Sequence, residues 1–245
     1  MTAENGVLRW ILLISALILA SQASADEAQA PQKVLFVGNS FTYYNNSLHN
    51  RYQALRTAAN GGERYGRVRT VTISGGRLPE HTSGLQQQLN GDDWDIVVLQ
   101  GHSLEPISEN TAEPFREAAR SYASDIRADG GEPAFFMTWA YSGIPEMTQE
   151  LDDAYTSIGK ELDAQVVPVG RAFANARAAR PELELVLPDR KHPTLAGTYL
   201  AACTFFAALH GETPLGVDYT AGLNEDNARF LQQVAWESWQ EYRGD

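Results

Sequence analysis

The feature that most constrains this chain of 245 residues is a rhythm: short, almost continuous apolar runs alternate with longer stretches of helical character. Lys33 to Val37, Asp95 to Leu99, Pro133 to Trp139 and Gln165 to Val169 read as strands by such runs, and Val68 to Ile73 by strand-like alternation. Runs such as DIVVL and PAFFMTW are apolar on successive residues, which suits strands covered on both faces. Pro133 has no N–H to give a ladder, so it belongs at the start of its strand. Leu48 to Ala59, Thr111 to Asp129, Met147 to Leu162 and Arg171 to Ala179 read as helices; Thr194 to Leu209 and Asn224 to Tyr242 close the chain. Asn60-Gly61-Gly62 and Gly130-Gly131 supply helix-ending residues. Strands alternating with helices of this length predict an α/β protein, a three-layer α/β/α sandwich on a parallel, flavodoxin-like sheet of about five strands. Ligands of such sheets bind beyond the carboxyl ends of the strands. The loops after Val37, Ile73, Leu99, Trp139 and Val169 are therefore the ones to search.

Residues 1–25 stand outside the rhythm. Arg9 precedes an apolar stretch from Trp10 to Ala20, and Ala23-Ser24-Ala25 fits a small-residue cleavage site. The segment reads as a signal peptide, with the mature chain starting near Asp26 and residues 26–245 forming one domain without linker or repeat. The apolar stretch is shorter than the roughly 20 residues of a membrane span. Export to the periplasm or the extracellular space is expected, without stable membrane insertion; an uncleaved N-terminal anchor is the alternative. The net charge of -12 repels phosphate backbones and anionic headgroups, and no run of Lys or Arg offsets it, so nucleic acid is excluded as a partner. The lone Cys203 lies in an apolar stretch and reads as a buried thiol, so no disulfide framework exists. No His, Cys and carboxylate spacing suggests a metal, no glycine-rich loop suggests a nucleotide, and no cofactor is expected.

Two segments carry chemistry. After the first strand comes Gly38-Asn39-Ser40-Phe41-Thr42, where a glycine permits a sharp turn. A following helical N-terminus would offer free N–H groups to a developing anion. By itself this serine reads as a cap in an ordinary turn, and Thr42 departs from the G-x-S-x-G elbow. The second segment is Pro188-Asp189-Arg190-Lys191-His192-Pro193. An Asp and a His three apart in one loop can pair, the carboxylate orienting the imidazole. Pro193 suits the first position of the helix that follows, whose positive end favours a neutral imidazole while Asp189 opposes that bias. With Ser40 they give the chain order Ser, Asp, His.

With these motifs in place the chain resembles the SGNH, or GDSL-type, hydrolase superfamily, in a divergent bacterial branch. Gly38-Asn39-Ser40 is similar to the family's Gly-Asp-Ser block, Asp189 and His192 to its Asp-x-x-His pair, and Gly75 in Ile73-Ser74-Gly75 to its second-block glycine. The resemblance spans nearly the whole mature chain in the right order. It implies a secreted serine esterase with Ser40, His192 and Asp189 as a triad. It implies an oxyanion hole from Ser40 and Gly75, completed by the third block. There Gln100-Gly101-His102-Ser103 replaces the family's Gly-x-Asn-Asp, so the donor falls to His102 or to Gln100. Asn39 replaces the usual Asp before the nucleophile. A carbohydrate deacetylase is the leading expectation. A lipid or acyl-thioester hydrolase and an inactive carbohydrate-binding relative are the alternatives.

Asn39, His81, Trp139 and Tyr141 are candidate substrate contacts, since all lie near strand ends; Tyr43 joins Trp139 and Tyr141 as an aromatic floor. His49 and His210 read as helix-surface residues, and Met147, Phe135 and Phe136 as core.

Overall fold

The computed structural model describes residues 30–245; the expected signal segment and its cleavage site near Asp26 lie outside them. Five strands form a parallel sheet in the order β2-β1-β3-β4-β5, with β1 at Lys33–Gly38, β2 at Arg67–Thr72, β3 at Ile96–Leu99, β4 at Glu132–Phe136 and β5 at Gln165–Val167. Successive side chains of β1 point to opposite faces, as a strand dictates. Val34 and Phe36 enter one core and Leu35 and Val37 the other. The first core is filled by α2 (Leu48–Ala59), α6 (Val169–Ala179), α7 (Leu195–His210) and α8 (Glu225–Gly244). The second is filled by α3 (Thr82–Leu89), α4 (Ala112–Ala128) and α5 (Met147–Leu162). The result is the three-layer α/β/α sandwich with a flavodoxin-like strand order.

Each element follows from its sequence. Helix α7 is apolar all round and buried from Ala196 to Leu209, with α8 packed against it; an apolar surface on every side has no other stable place. Gly211, with φ of 67°, ends it in the left-handed conformation that glycine adopts freely. Strands β4 and β5 stop short of their expected ends. Pro168 cannot donate to the ladder and caps the start of α6. Met137 N still bonds to Val167 O at 3.1 Å, but the chain then leaves the sheet. The 3₁₀ turn Leu78–His81 and α3 were not expected, because Thr82-Ser83-Gly84 and three glutamines show no apolar period. Gly84 sits there for closeness: a Cβ on it would stand 2.6 Å from Val71 Cγ1.

His49 and His210 are half-buried, contrary to the surface expectation. His210 stacks on Phe206 at 4.4 Å and shares a 3.1 Å hydrogen bond with the Tyr52 hydroxyl, and His49 Nδ1 lies 2.6 Å from Ser47 Oγ. Cys203 is fully buried, and burial pushes its thiol pKa up. Among the described residues no helix is long and apolar enough to cross a membrane.

The strand order reverses direction between β1 and β3. That is the place where an open parallel sheet leaves a crevice at its carboxyl edge. Ser40 follows β1 and His102 follows β3, so both emerge there.

Candidate active site

Gly38 ends β1 where a Cβ would stand 2.5 Å from Gln100 Oε1 and 2.6 Å from Thr42 Oγ1. The chain then enters α1 (Ser40–Tyr43), a single helical turn capped by Asn39, whose Oδ1 accepts from Phe41 N at 3.2 Å. Asn39 O accepts from Thr42 N and Tyr43 N. Ser40 N–H has no partner among the described residues. The nucleophile candidate thus stands in the first turn of a helix, with one backbone donor spare.

Asn39 and Gln100 act on this loop, not on a ligand. Asn39 Nδ2 donates to Gly76 O at 3.0 Å and Gly101 O at 3.5 Å. Gln100 Nε2 donates to Asn39 Oδ1 at 2.7 Å and Gly101 O at 3.0 Å, while its Oε1 accepts from Thr42 Oγ1 at 2.6 Å. Both N–H groups of the Gln100 amide are spent, and the side chain is fully buried. The expectation that Gln100 could complete an oxyanion hole is therefore corrected: it buttresses the Ser40 turn. Asn39 does border the cleft, but its polar atoms tie three strand-end loops together.

The second half comes from residues 187–193. Leu187 N bonds to His192 O at 2.7 Å, and Arg190, with φ of 71°, turns the loop tip. Asp189 Oδ1 accepts from Lys191 N and His192 N, both at 3.0 Å. Its Oδ2 lies 2.6 Å from His192 Nδ1, and His192 Nε2 lies 2.9 Å from Ser40 Oγ. Burial works against the charged Asp189 carboxylate, but the His192 hydrogen bond and those two N–H groups outweigh it and hold its pKa down to about 2. A carboxylate on Nδ1 fixes the proton there, leaving the Nε2 lone pair for the serine hydroxyl. Pro193 does not begin the helix as expected. Thr194 is the cap, accepting from Gly197 N at 3.2 Å, and Pro193 instead pairs with Val186 in an isolated bridge.

Aromatic side chains hold the imidazole from several sides. Tyr44 stacks on its face with centroids 4.4 Å apart and planes 6° from parallel, and Phe41 meets it edge-on at 5.9 Å. Trp139, expected to touch substrate, is fully buried, sandwiched between Phe41 at 4.3 Å and Phe173 at 4.2 Å. Its Nε1 donates to Lys191 O at 2.9 Å, so it braces the histidine loop from below. Arg190 adds a clamp, donating to Ser142 O from Nε at 2.9 Å and from Nη2 at 2.6 Å.

The cleft above Ser40 has a volume of about 220 Å³ and is bordered by Tyr43, Tyr44, Ser74, Gly75, His102 and Lys191, among others. Gly75 takes φ of 65°, and its N–H makes no hydrogen bond among the described residues. His102 is half-buried; burial, then Lys191 and Arg77, push its pKa below the usual histidine value, with Glu80 opposing. Its backbone N–H is held at 2.7 Å by Glu105 Oε2, which also accepts from Leu78 N at 3.0 Å. Burial raises the Glu105 pKa despite those bonds.

His81 and Tyr141 fall outside the cleft border. His81 is fully buried, neither ring nitrogen has a hydrogen-bond partner, and burial lowers its pKa. The Tyr141 hydroxyl lies 2.5 Å from Ser103 Oγ, reaching the cleft only through that serine. Tyr44, Lys191, Ser103 and Glu105 were missed. Tyr44 is four residues beyond Ser40 and Lys191 adjoins His192, so spacing alone could have raised both. Larger hollows lie elsewhere, such as one of about 350 Å³ beside Arg56, but they hold no paired nucleophile and base. Among the described residues no group of three or more His, Cys, Asp or Glu could hold a metal ion.

No protein-family model matches the chain, and no curated protein does. Solved structures do. A DUF4886 family protein from Bacteroides uniformis superposes with a TM-score of 0.64 at 20% identity, covering 87% of this chain and 96% of that one. A protein from Slackia heliotrinireducens, described as a candidate SGNH hydrolase, gives 0.60 at 25%, covering 71% and 97%. An acetylxylan esterase from Geobacillus stearothermophilus gives 0.59 at 15%, covering 75% and 96%. The fold is that of the SGNH hydrolases.

Proposed function

We propose that this chain is an exported serine esterase that removes small acyl groups from carbohydrate esters, with Ser40 as nucleophile, His192 as base and Asp189 as the residue that orients it. The observation that carries it is the relay Asp189 Oδ2, His192, Ser40 Oγ, two hydrogen bonds of 2.6 and 2.9 Å joining groups 152 residues apart. A serine in an ordinary turn does not need an imidazole lone pair on its hydroxyl. The export half of the proposal rests on the residue pattern of 1–25.

In the first step His192 Nε2 takes the Ser40 proton as Oγ attacks the ester carbonyl. The oxyanion that forms is received by Ser40 N–H and Gly75 N–H, with a neutral His102 as third donor. His192 returns the proton to the departing alcohol. Water then enters, gives a proton to His192 and attacks the acyl carbon, and the acid leaves as Ser40 is reprotonated. Donors fixed by the fold before the reaction cost no reorganisation during it.

A small acyl group is supported by the cleft volume and by the polar side chains on its border. A carbohydrate alcohol is supported by the likeness to an acetylxylan esterase. A fluorophosphonate probe should label wild-type protein stoichiometrically at Ser40 and leave folded Ser40→Ala unlabelled. Silence of the wild type would instead favour a carbohydrate-binding relative without activity. Among nitrophenyl esters acetyl should be preferred over octanoyl; the opposite order would turn the assignment to lipid or acyl-thioester substrates.

A further inference from the structure

The chain carries a net charge of -12, yet no Asp or Glu borders the cleft above Ser40. Lys191 and the two histidines, His102 and His192, do. Lys191 is half-buried on the wall beside the base. Its backbone is fully engaged, N–H to Asp189 and C=O to Trp139. Its ammonium makes no hydrogen bond or ion pair among the described residues. Arg77 and Glu80, both exposed and outside the cleft border, are near enough for their opposite charges to act on His102, where those of Lys191 and Arg77 outweigh that of Glu80. The nearby carboxylates are already committed. Asp189 is taken by His192 and two N–H groups, Glu105 by Leu78 and His102, and the exposed Glu80 accepts from Arg77 N at 3.1 Å.

A half-buried ammonium on the cleft wall with no counter-ion among the described residues gains from any counter-charge a ligand brings. An acidic protein has many carboxylates it could have placed there. We propose, resting on the esterase reading, that the substrate itself brings the counter-charge: the enzyme acts on esters that carry a carboxylate near the scissile bond, such as O-acylated acidic saccharides. A single ammonium, without a planar guanidinium fork on the wall, suits one carboxylate held as a point charge. The negative remainder of the surface repels anionic polymers elsewhere and leaves this cleft as the attractive point.

The test compares two esters with the same acyl group, 4-acetoxybenzoate and its neutral analogue 4-acetoxybenzamide, by kcat/KM. Wild-type enzyme should favour the carboxylate about two- to fivefold at low salt, the range open to a partly exposed charge pair. Raising ionic strength from about 0.01 M to about 1 M, which shortens the screening length from about 30 Å to about 3 Å, should erase the preference. Lys191→Met, which keeps the aliphatic stem, should bring the ratio to about one, and Lys191→Glu should invert it. If Lys191 served only the oxyanion, both esters would slow together and the ratio would persist in Lys191→Met; that result, or a wild-type ratio near one, overturns the proposal. Fluorophosphonate labelling separates the levels. Labelled protein with no charge preference sinks the substrate class alone, while unlabelled protein that hydrolyses neither ester sinks the esterase reading and the preference with it.

Discussion

A single proton decides what His192 can do, and Asp189 decides where that proton sits. With the carboxylate pKa held near 2, Asp189 stays charged at neutral pH and accepts from Nδ1, so Nε2 stays free. Asp189→Asn should therefore retain the fold and lose about 10⁴ in kcat, because an amide can donate to Nδ1 and reverse the tautomer; ester kinetics beside an unchanged circular dichroism spectrum would check it. His102 tests the third oxyanion donor. Burial and the charges of Lys191 and Arg77 lower its pKa, which favours the neutral ring that the donor role requires. His102→Ala should lower kcat about 10²- to 10³-fold with KM little changed, and His102→Asn should recover most of it. A His102→Ala enzyme of full activity would remove the residue from the mechanism. The Asp189 and His192 pair was legible because both sit in one loop at fixed spacing. The burial of Trp139 was not, since Phe41 and Phe173 reach it from other elements. An aromatic near a strand end looks the same in sequence whether it lines a cleft or supports one.

Elements were legible wherever their own residues determine them. Strands β1, β3, β4 and β5 announce themselves by apolar runs, the edge strand β2 by alternation, and helices such as α4 by a one-sided apolar stripe. Helix α3 is fixed by what it packs against: Leu85 and Leu89 enter the core over β1 while Gly84 lets Val71 approach. The loop from Leu187 to Pro193 is likewise held by a neighbouring element. It hangs on the segment after β4 through Trp139 Nε1 to Lys191 O and Ser142 N to Arg190 O. Trp139→Phe preserves a stacking ring and deletes one hydrogen bond. It should cost about 1 kcal/mol of stability and lower kcat several-fold with KM near wild type, since the base is misplaced and the cleft wall is not. A rise in KM alone would return Trp139 to the substrate. Gly38→Ala tests the opposite strand end. Its Cβ would collide with the Gln100 amide and the Thr42 hydroxyl, so labelling of Ser40 should slow more than tenfold; labelling at the wild-type rate would show that the turn can give way.

For the whole molecule, the histidines set the response to acid. Burial lowers the pKa of His49 and His81, and that of His210 to about 3. Each imidazole is thus neutral in the folded protein at a pH where the unfolded chain, titrating near 6.5, has begun to bind a proton. The sign follows: the unfolded state holds more protons, so stability is fully present above about pH 6.5 and declines as pH falls below it. His81 has no partner on either ring nitrogen and His210 meets the Tyr52 hydroxyl, so neither has a carboxylate in hydrogen-bond contact, and for His81 burial outweighs the charge of Glu80. Two effects oppose the decline at lower pH. The raised pKa of Glu105 makes the fold bind a proton before the unfolded chain does, and the excess of acidic groups loses mutual repulsion as carboxylates neutralise. The histidine contribution is therefore exposed between about pH 6.5 and 5. There the free energy of unfolding from urea titrations should fall as pH is lowered, by up to about 1.4 kcal/mol per pH unit for each proton taken up only by the unfolded chain. His210→Gln keeps a polar partner for Tyr52 and removes one titration, so its slope should be shallower by up to that amount. Parallel slopes for wild type and His210→Gln would mean that the folded protein lets His210 take its proton, and that its burial against Phe206 does not hold it neutral.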